Sequence, residues 1–263
     1  MRLTRVYIDA ALTAGSVVEL APATASHLAK VLRARDGDEL VLFNGDGQEF
    51  HGAIESVRGS RVLASVGEGR PVDRESPLKV TLVQCVPRGD RMDFIVQKAT
   101  ELGVSRIVPI LSQRSVVRLD ARQAESKSAH WRAVAVSACE QCGRNRLPAI
   151  DAAQPLLHYL GESVPSDSLR LLFEPDGGAQ GRELNGGEAN EGPMPGAEMA
   201  IGPEGGFGSD ELEAFRVAGF FRVGLGPRVL RTETAAIAAL VWLQTRFGDM
   251  QECLNPTSRT TDA

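Results

Sequence analysis

Apolar and polar residues alternate with a period of two in four short runs near the start of the chain: VVEL (17–20), ELVLFN (39–44), EFHGAIESV (49–57) and RVLASVGE (61–68). Such runs, separated by Gly, Asp and Asn, predict β-strands. The phrase Asn44-Gly45-Asp46-Gly47 predicts a tight turn between two of them. One helical segment interrupts the series, ATASHLAKVLRA (23–34), with Ala25, Leu28, Val31 and Leu32 at helical spacing. So many strands in so few residues predict a compact barrel over residues 1–75. The polar, proline-flanked stretch RPVDRESPL (70–78) reads as a linker, and the pattern changes after it.

KVTLVQCV (79–86) is almost continuously apolar, as a strand covered on both faces must be. Asp90 is placed to cap a helix whose Met92, Ile95, Val96, Ala99 and Leu102 form one stripe ended by Gly103. RIVPIL (106–111) is the next strand, and a long helical pattern runs from about Gln123 to Cys142. LPAID (147–151) and LRLLFEP (169–175) supply further strands, with PLLHYL between them. EMAI (198–201) and FRVGL (221–225) follow, each ending in a glycine loop and leading to a helix. Strands alternating with helices predict an α/β domain with a mostly parallel sheet over residues 76–248. Residues 176–197 are Gly-rich and acidic and predict a flexible loop, and the polar stretch 249–263 a loose tail.

At 263 residues and 43% hydrophobic content the chain suits one large or two unequal domains with a substantial core. No apolar run reaches the roughly 18 residues a membrane span needs. MRLTRVYIDAAL carries no signal-peptide core, so the expectation is a soluble cytoplasmic protein. The four cysteines do not form a disulfide framework, and the lone Cys139/Cys142 pair has no second pair to complete a zinc site. Those two read as helix-face thiols, with no metal expected. The net charge of −5 is uneven: residues 86–146 carry 11 Lys/Arg against 6 Asp/Glu, whereas residues 147–263 carry 8 against 17. Arginine's planar fork suits phosphates and base edges, which keeps a local RNA-facing surface open. In the first 75 residues the candidates for RNA contact are Arg2, Arg5, His27 and Arg33.

The chemistry concentrates between Ala200 and Leu243. Gly202-Pro203-Glu204-Gly205-Gly206 must turn sharply after its strand, and Gly226-Pro227-Arg228-Val229-Leu230-Arg231 forms a second loop. Ser209 with Asp210 and Glu211 starts one helix, and Thr232 or Thr234 begins another whose apolar circumference demands burial. Two glycine loops opening side by side make a pocket for a small ligand. Neither phosphate-binding glycine motif is present and Glu204 would repel phosphate, so the ligand expected is neutral or cationic.

IGPEGGF (201–207) together with LGPRVLRTETA (225–235) resembles the RsmE family of ribosomal small-subunit uridine N3-methyltransferases, members of the SPOUT superfamily. HLAKVLRARDGDEL (27–40), RGDRMDFIVQKATELGV (88–104), SQRSVV (112–117) and ACEQCGR (138–144) extend the resemblance along nearly the whole chain. Arg88 stands where the family usually has lysine and Cys142 where it has serine. The resemblance implies a PUA-like barrel, then a SPOUT-type parallel sheet with a C-terminal trefoil knot, a homodimer, and S-adenosylmethionine as cofactor. It implies 16S rRNA of the small subunit as partner. A SPOUT enzyme acting on tRNA, or a ribosome-assembly factor without catalysis, are the alternatives.

Carried over, the cofactor site comprises Leu172, Phe173 and Glu174, then Ile201, Gly202, Pro203, Glu204, Gly205 and Gly206. Leu225, Gly226, Val229, Leu230, Arg231, Thr232, Thr234 and Ala235 complete it. Arg144, Arg231, Glu140 and Gln141 are the catalytic candidates. Arg88, Arg114, Arg118 and Arg228 join the RNA contacts. Glu204 is a candidate base, with holding the loop through backbone N–H groups the task it fits better, and no residue is assigned as the proton acceptor.

Overall fold

The structure, a computed structural model, describes residues 3–59, 61–161, 168–175, 194 and 196–251. Arg2 and most of the 176–197 and 249–263 segments fall outside the described residues. Gly196 and Ala197 do not belong to a loop; they open a strand.

The chain divides into two units, one of residues 1–75 with 136–147 and one of residues 76–135 with 148–263. In the first, β1 (Thr4–Tyr7), β2 (Val17–Glu19), β3 (Glu39–Phe43), β4 (Gln48–Arg58) and β5 (Arg61–Pro71) form one sheet ordered β1-β3-β4-β5-β2. β1 runs parallel to β3 and the other pairs are antiparallel. The alternation seen in the sequence buries Leu40, Leu42, Phe50, Ile54, Val62, Ala64 and Val66 on one side. Helix α1 (Pro22–His27), continued by a π-helical turn over Leu28–Leu32, closes that core with Ala25 and Leu28. Val31 and Leu32, predicted on its apolar stripe, are instead exposed. The turn after β3 is held by side chains: Asn44 Oδ1 accepts from Asp46 N–H at 3.2 Å and Asp46 Oδ1 from Gln48 N–H at 2.8 Å. At Gly52 a Cβ would lie 2.1 Å from the Ser65 carbonyl oxygen, so no larger residue fits where β4 and β5 bulge.

The second unit is built on a parallel sheet ordered β12-β10-β11-β6-β7-β8, with β9 pairing β7. Its strands are β6 (Lys79–Cys85), β7 (Arg106–Leu111), β8 (Ala149–Ile150), β9 (Gln154–Pro155), β10 (Leu169–Phe173), β11 (Gly196–Ile201) and β12 (Phe221–Val223). Alternate residues feed two cores. Leu82, Ile107, Leu171 and Met199 face one, and Val83, Val108, Leu172 and Ala200 the other. This explains the continuous apolar runs. Helices α2 (Arg91–Glu101) and α6 (Thr232–Phe247) pack together in the first core; α4 (Leu156–Gly161) and α5 (Ser209–Val217) pack together and bury Leu156, Tyr159 and Phe215 in the second. Helix α3 (Ala121–Cys142) contributes Trp131 and Ala135 to the first core.

Three helices start where the sequence placed them, with one difference in detail. Asp90 holds the cap position of α2, yet its side chain makes no capping hydrogen bond. Ser209 is the first residue of α5, with Asp210 and Glu211 in its first turn as expected; Gly208 holds the cap position before it, and its N–H donates to Glu211 Oε2 at 2.9 Å. Of the two threonines offered for α6, Thr232 is its first residue. The end of α2 is fixed by Gln244 of α6, whose Nε2 donates to Leu102 O at 2.9 Å while its Oε1 accepts from Ser76 Oγ at 2.7 Å.

Candidate functional site

The carboxyl ends of β12, β10 and β11 lie side by side, since β10 pairs with both neighbours in parallel register. Ligands of open α/β sheets bind at such strand ends. Here a cavity of about 580 Å³ opens there, within the range of small-molecule sites. Phe173 and Glu174 line it from β10, Ile201 to Phe207 from the loop after β11, and Leu225, Arg228 to Thr232 and Ala235 from the second loop and α6.

The first loop is kept tight by Gly206, whose φ of +66° suits glycine and whose N–H donates to Pro203 O at 2.9 Å. Phe207 is buried edge-on against Phe215, 4.9 Å between ring centroids, anchoring the loop's far end. The 112–115 segment braces the same loop: Arg114 donates to Gly205 O at 3.1 Å, and Glu211 Oε1 accepts from Gln113 N–H at 2.8 Å. Within that segment Ser115 Oγ accepts from Ser112 N–H at 3.0 Å, which gives its two serines a structural task. Thr232 joins the two loops, its hydroxyl donating to Gly202 O at 3.0 Å.

The charged residues divide into paired and open groups. Glu204 Oε1 accepts from Arg91 at 2.7 Å, and Arg91 also lies 3.9 Å from Glu233 in the first turn of α6. The Glu204 charge is thus offset by Arg91. Glu174 is paired with Arg222. Arg228 and Arg231 are exposed on the second loop.

Not every expected residue reaches the cavity. Leu172, Gly226 and Thr234 are not among its lining residues. Leu172 points into the second core, opposite to Phe173, because neighbours on a strand face opposite ways. Pro175, Phe207, Leu212 and Arg222 line the cavity without having been expected, and Arg114 does so besides its expected place among RNA contacts. Phe207 closes the IGPEGGF run, so its position beside the glycines was the available signal; Arg222 gave none, because only pairing with β10 brings it to the cavity edge.

Arg144, Glu140 and Arg5 belong to the N-terminal unit. Arg144 is 4% exposed and forms a two-pronged pair with Glu75, at 3.0 and 2.5 Å. Burial disfavours its charge, but Glu75 outweighs that and holds its pKa above the ordinary arginine value. Glu140 accepts the Tyr7 N–H at 3.0 Å, and burial raises its carboxyl pKa. Arg5 donates to Glu49 at 2.8 Å and to Asn145 Oδ1 at 2.5 Å, and lies 4.8 Å above the Phe43 ring. Arg74 adds bonds to Glu49 at 3.2 Å and to Gly143 O at 2.9 Å. These contacts fasten residues 140–145 to the strands of that unit. Gln141 is exposed on α3. His27 ends α1 and is exposed, as are Arg33, Arg88 and Arg118. Among the described residues no cluster of three His, Cys, Asp or Glu side chains is placed to hold a metal, and no helix is long and apolar enough to cross a membrane.

A family model described as an RNA methyltransferase domain matches residues 74–244, and one described as an RNA methyltransferase PUA domain matches residues 20–66. The chain belongs to this RNA methyltransferase family. Ribosomal RNA small subunit methyltransferase E of Buchnera aphidicola is 32% identical over 95% of this chain and 98% of its own length. A methyltransferase of Legionella pneumophila, solved in complex with the cofactor SAM, is 38% identical, covers 95% of this chain and all of its own, and superposes with a TM-score of 0.87. Ribosomal RNA small subunit methyltransferase E of Neisseria gonorrhoeae bound to S-adenosyl methionine is 35% identical, covers 94% of this chain and 99% of its own, and superposes with a TM-score of 0.83. The mixed α/β fold with a parallel sheet and an N-terminal PUA-like unit is thus that of the family.

Proposed function

We propose that this protein transfers a methyl group from S-adenosylmethionine to N3 of a uridine in 16S rRNA of the small ribosomal subunit. The observation that carries the reading is the glycine-walled cavity at the three strand ends. Phe173, Ile201, Phe207, Leu212 and Leu225 offer apolar surface to an adenosyl group, and the backbone of Gly202 to Gly206 admits close approach. With Glu204 neutralised by Arg91 and Glu174 by Arg222, the wall also accepts the zwitterionic amino-acid part. When bound, the cofactor supplies a methyl group activated on a sulfonium, whose bonding electrons stay with sulfur as N3 takes the methyl.

The protein's own contribution is alignment and charge stabilisation. Removing the N3 proton leaves negative charge on O2 and O4, and in this reading the positive charge that stabilises it comes from Arg231 and Arg228, both of which line the cavity. The same arginines, together with Arg114, Arg118 and Arg88, suit RNA phosphates. In this reading residues 1–75 grip RNA as a PUA-like domain and residues 76–248 carry the reaction. The C-terminal strands and α6 are threaded as a trefoil knot, two copies associate, and the enzyme works in the cytoplasm. Calorimetry with S-adenosylmethionine tests the site: micromolar binding abolished by Gly205→Trp is expected, and no binding by the wild-type protein would refute it.

A further inference from the structure

We propose that Gln84, a buried residue outside the cavity, is a positioning residue that sets the shape of the first cavity loop through Thr232. Gln84 stands on β6 directly opposite Ile201, the last residue before that loop, and is 0% exposed. Its Nε2 donates to Cys85 O at 2.8 Å and to Thr232 Oγ1 at 2.9 Å, and Thr232 Oγ1 donates to Gly202 O at 3.0 Å.

The direction of every bond in this chain is fixed by its two ends. Cys85 O is a carbonyl and can only accept, so the amide nitrogen of Gln84 must face it. That leaves an N–H pointing at Thr232 Oγ1, which accepts it and has one proton left to give. Gly202 O, again a carbonyl, takes that proton. Thr232 therefore has one arrangement where an isolated threonine hydroxyl has three, and the Gly202–Pro203 peptide is held in one orientation as the chain enters its turn. The arrangement leaves Gln84 Oε1 buried without a hydrogen-bond partner among the described residues.

The inference rests on the cavity being the S-adenosylmethionine site, and the experiment separates the two. Gln84→Met keeps the length and removes the donor; Thr232→Val keeps the shape and removes the hydroxyl. Each is expected to raise the Kd and KM for S-adenosylmethionine about tenfold, the scale of one oriented hydrogen bond, with kcat changed less. Because both act on one chain, the double variant is expected to be no weaker than Thr232→Val, and Thr232→Ser to recover most of the affinity lost in Thr232→Val. Without cofactor, amide exchange in residues 204–206 is expected to quicken in both single variants. Wild-type binding with unaltered affinity and exchange in Gln84→Met and Thr232→Val, or strictly additive losses in the double variant, would overturn the positioning role alone. A wild-type protein that binds no S-adenosylmethionine would overturn the site assignment and this inference with it.

Discussion

Replacing Arg144 with alanine separates a structural from a catalytic arginine. Arg144 and Glu75 have side chains 5% and 9% exposed and are joined by two bonds at 3.0 and 2.5 Å, so their interaction is barely screened by solvent. Removing the guanidinium strands the Glu75 carboxylate in that burial, which costs about 3–5 kcal/mol. Replacing both members, Glu75→Leu with Arg144→Met, removes both charges together and is expected to recover most of that loss. Native-state hydrogen exchange of the β3, β4 and β5 amides reads the stability of the N-terminal unit directly. Protection should fall in Arg144→Ala and largely return in the double variant, while Kd for S-adenosylmethionine stays near wild type. Wild-type protection in Arg144→Ala, coupled with loss of methyl transfer, would refute this and return Arg144 to the reaction.

Gly205→Trp should leave the thermal melt almost unchanged, because a Cβ there meets nothing nearer than 3.6 Å, yet it should abolish cofactor binding by calorimetry. Gln244→Leu leaves Leu102 O and Ser76 Oγ without their partner and should lower urea stability by about 2–4 kcal/mol with little change in kcat. Burial raises the pKa of Glu49, but bonds from Arg5 and Arg74 outweigh this and hold its carboxyl below the ordinary value. Its stabilising effect is therefore full above the unfolded-state pKa and is lost as pH falls through the lower folded-state value. Urea titrations from pH 7 to below about 4 should show the gap between wild type and Glu49→Gln closing at the acid end.

Local pattern made much of the fold legible. The sheet strand over 79–85, helix α2 and the strand over 106–111 read cleanly because each buries a periodic apolar set. β1 did not, since only Val6 of its four residues is buried and its partner β3 lies more than thirty residues away. The cavity loops were legible because proline fixes the backbone and glycine frees it, and both mark turns that sequence displays. Charges were not. Arg5, Arg144 and Glu204 look alike whether they meet RNA or a protein carboxylate, and their partners Glu49, Glu75 and Arg91 are between 44 and 113 residues distant. The grouping of residues 136–147 with the N-terminal unit was equally hidden, because α3 runs without a break through residue 135.

The most direct test is methyl transfer itself. Purified protein is incubated with S-adenosylmethionine and small ribosomal subunits from cells lacking this enzyme, and the 16S rRNA is digested and mapped by mass. One added methyl, at N3 of a single uridine, is the expected result, lost in Gly205→Trp. Methyl groups incorporated only into tRNA, or none in any RNA while S-adenosylmethionine binds, would contradict the account.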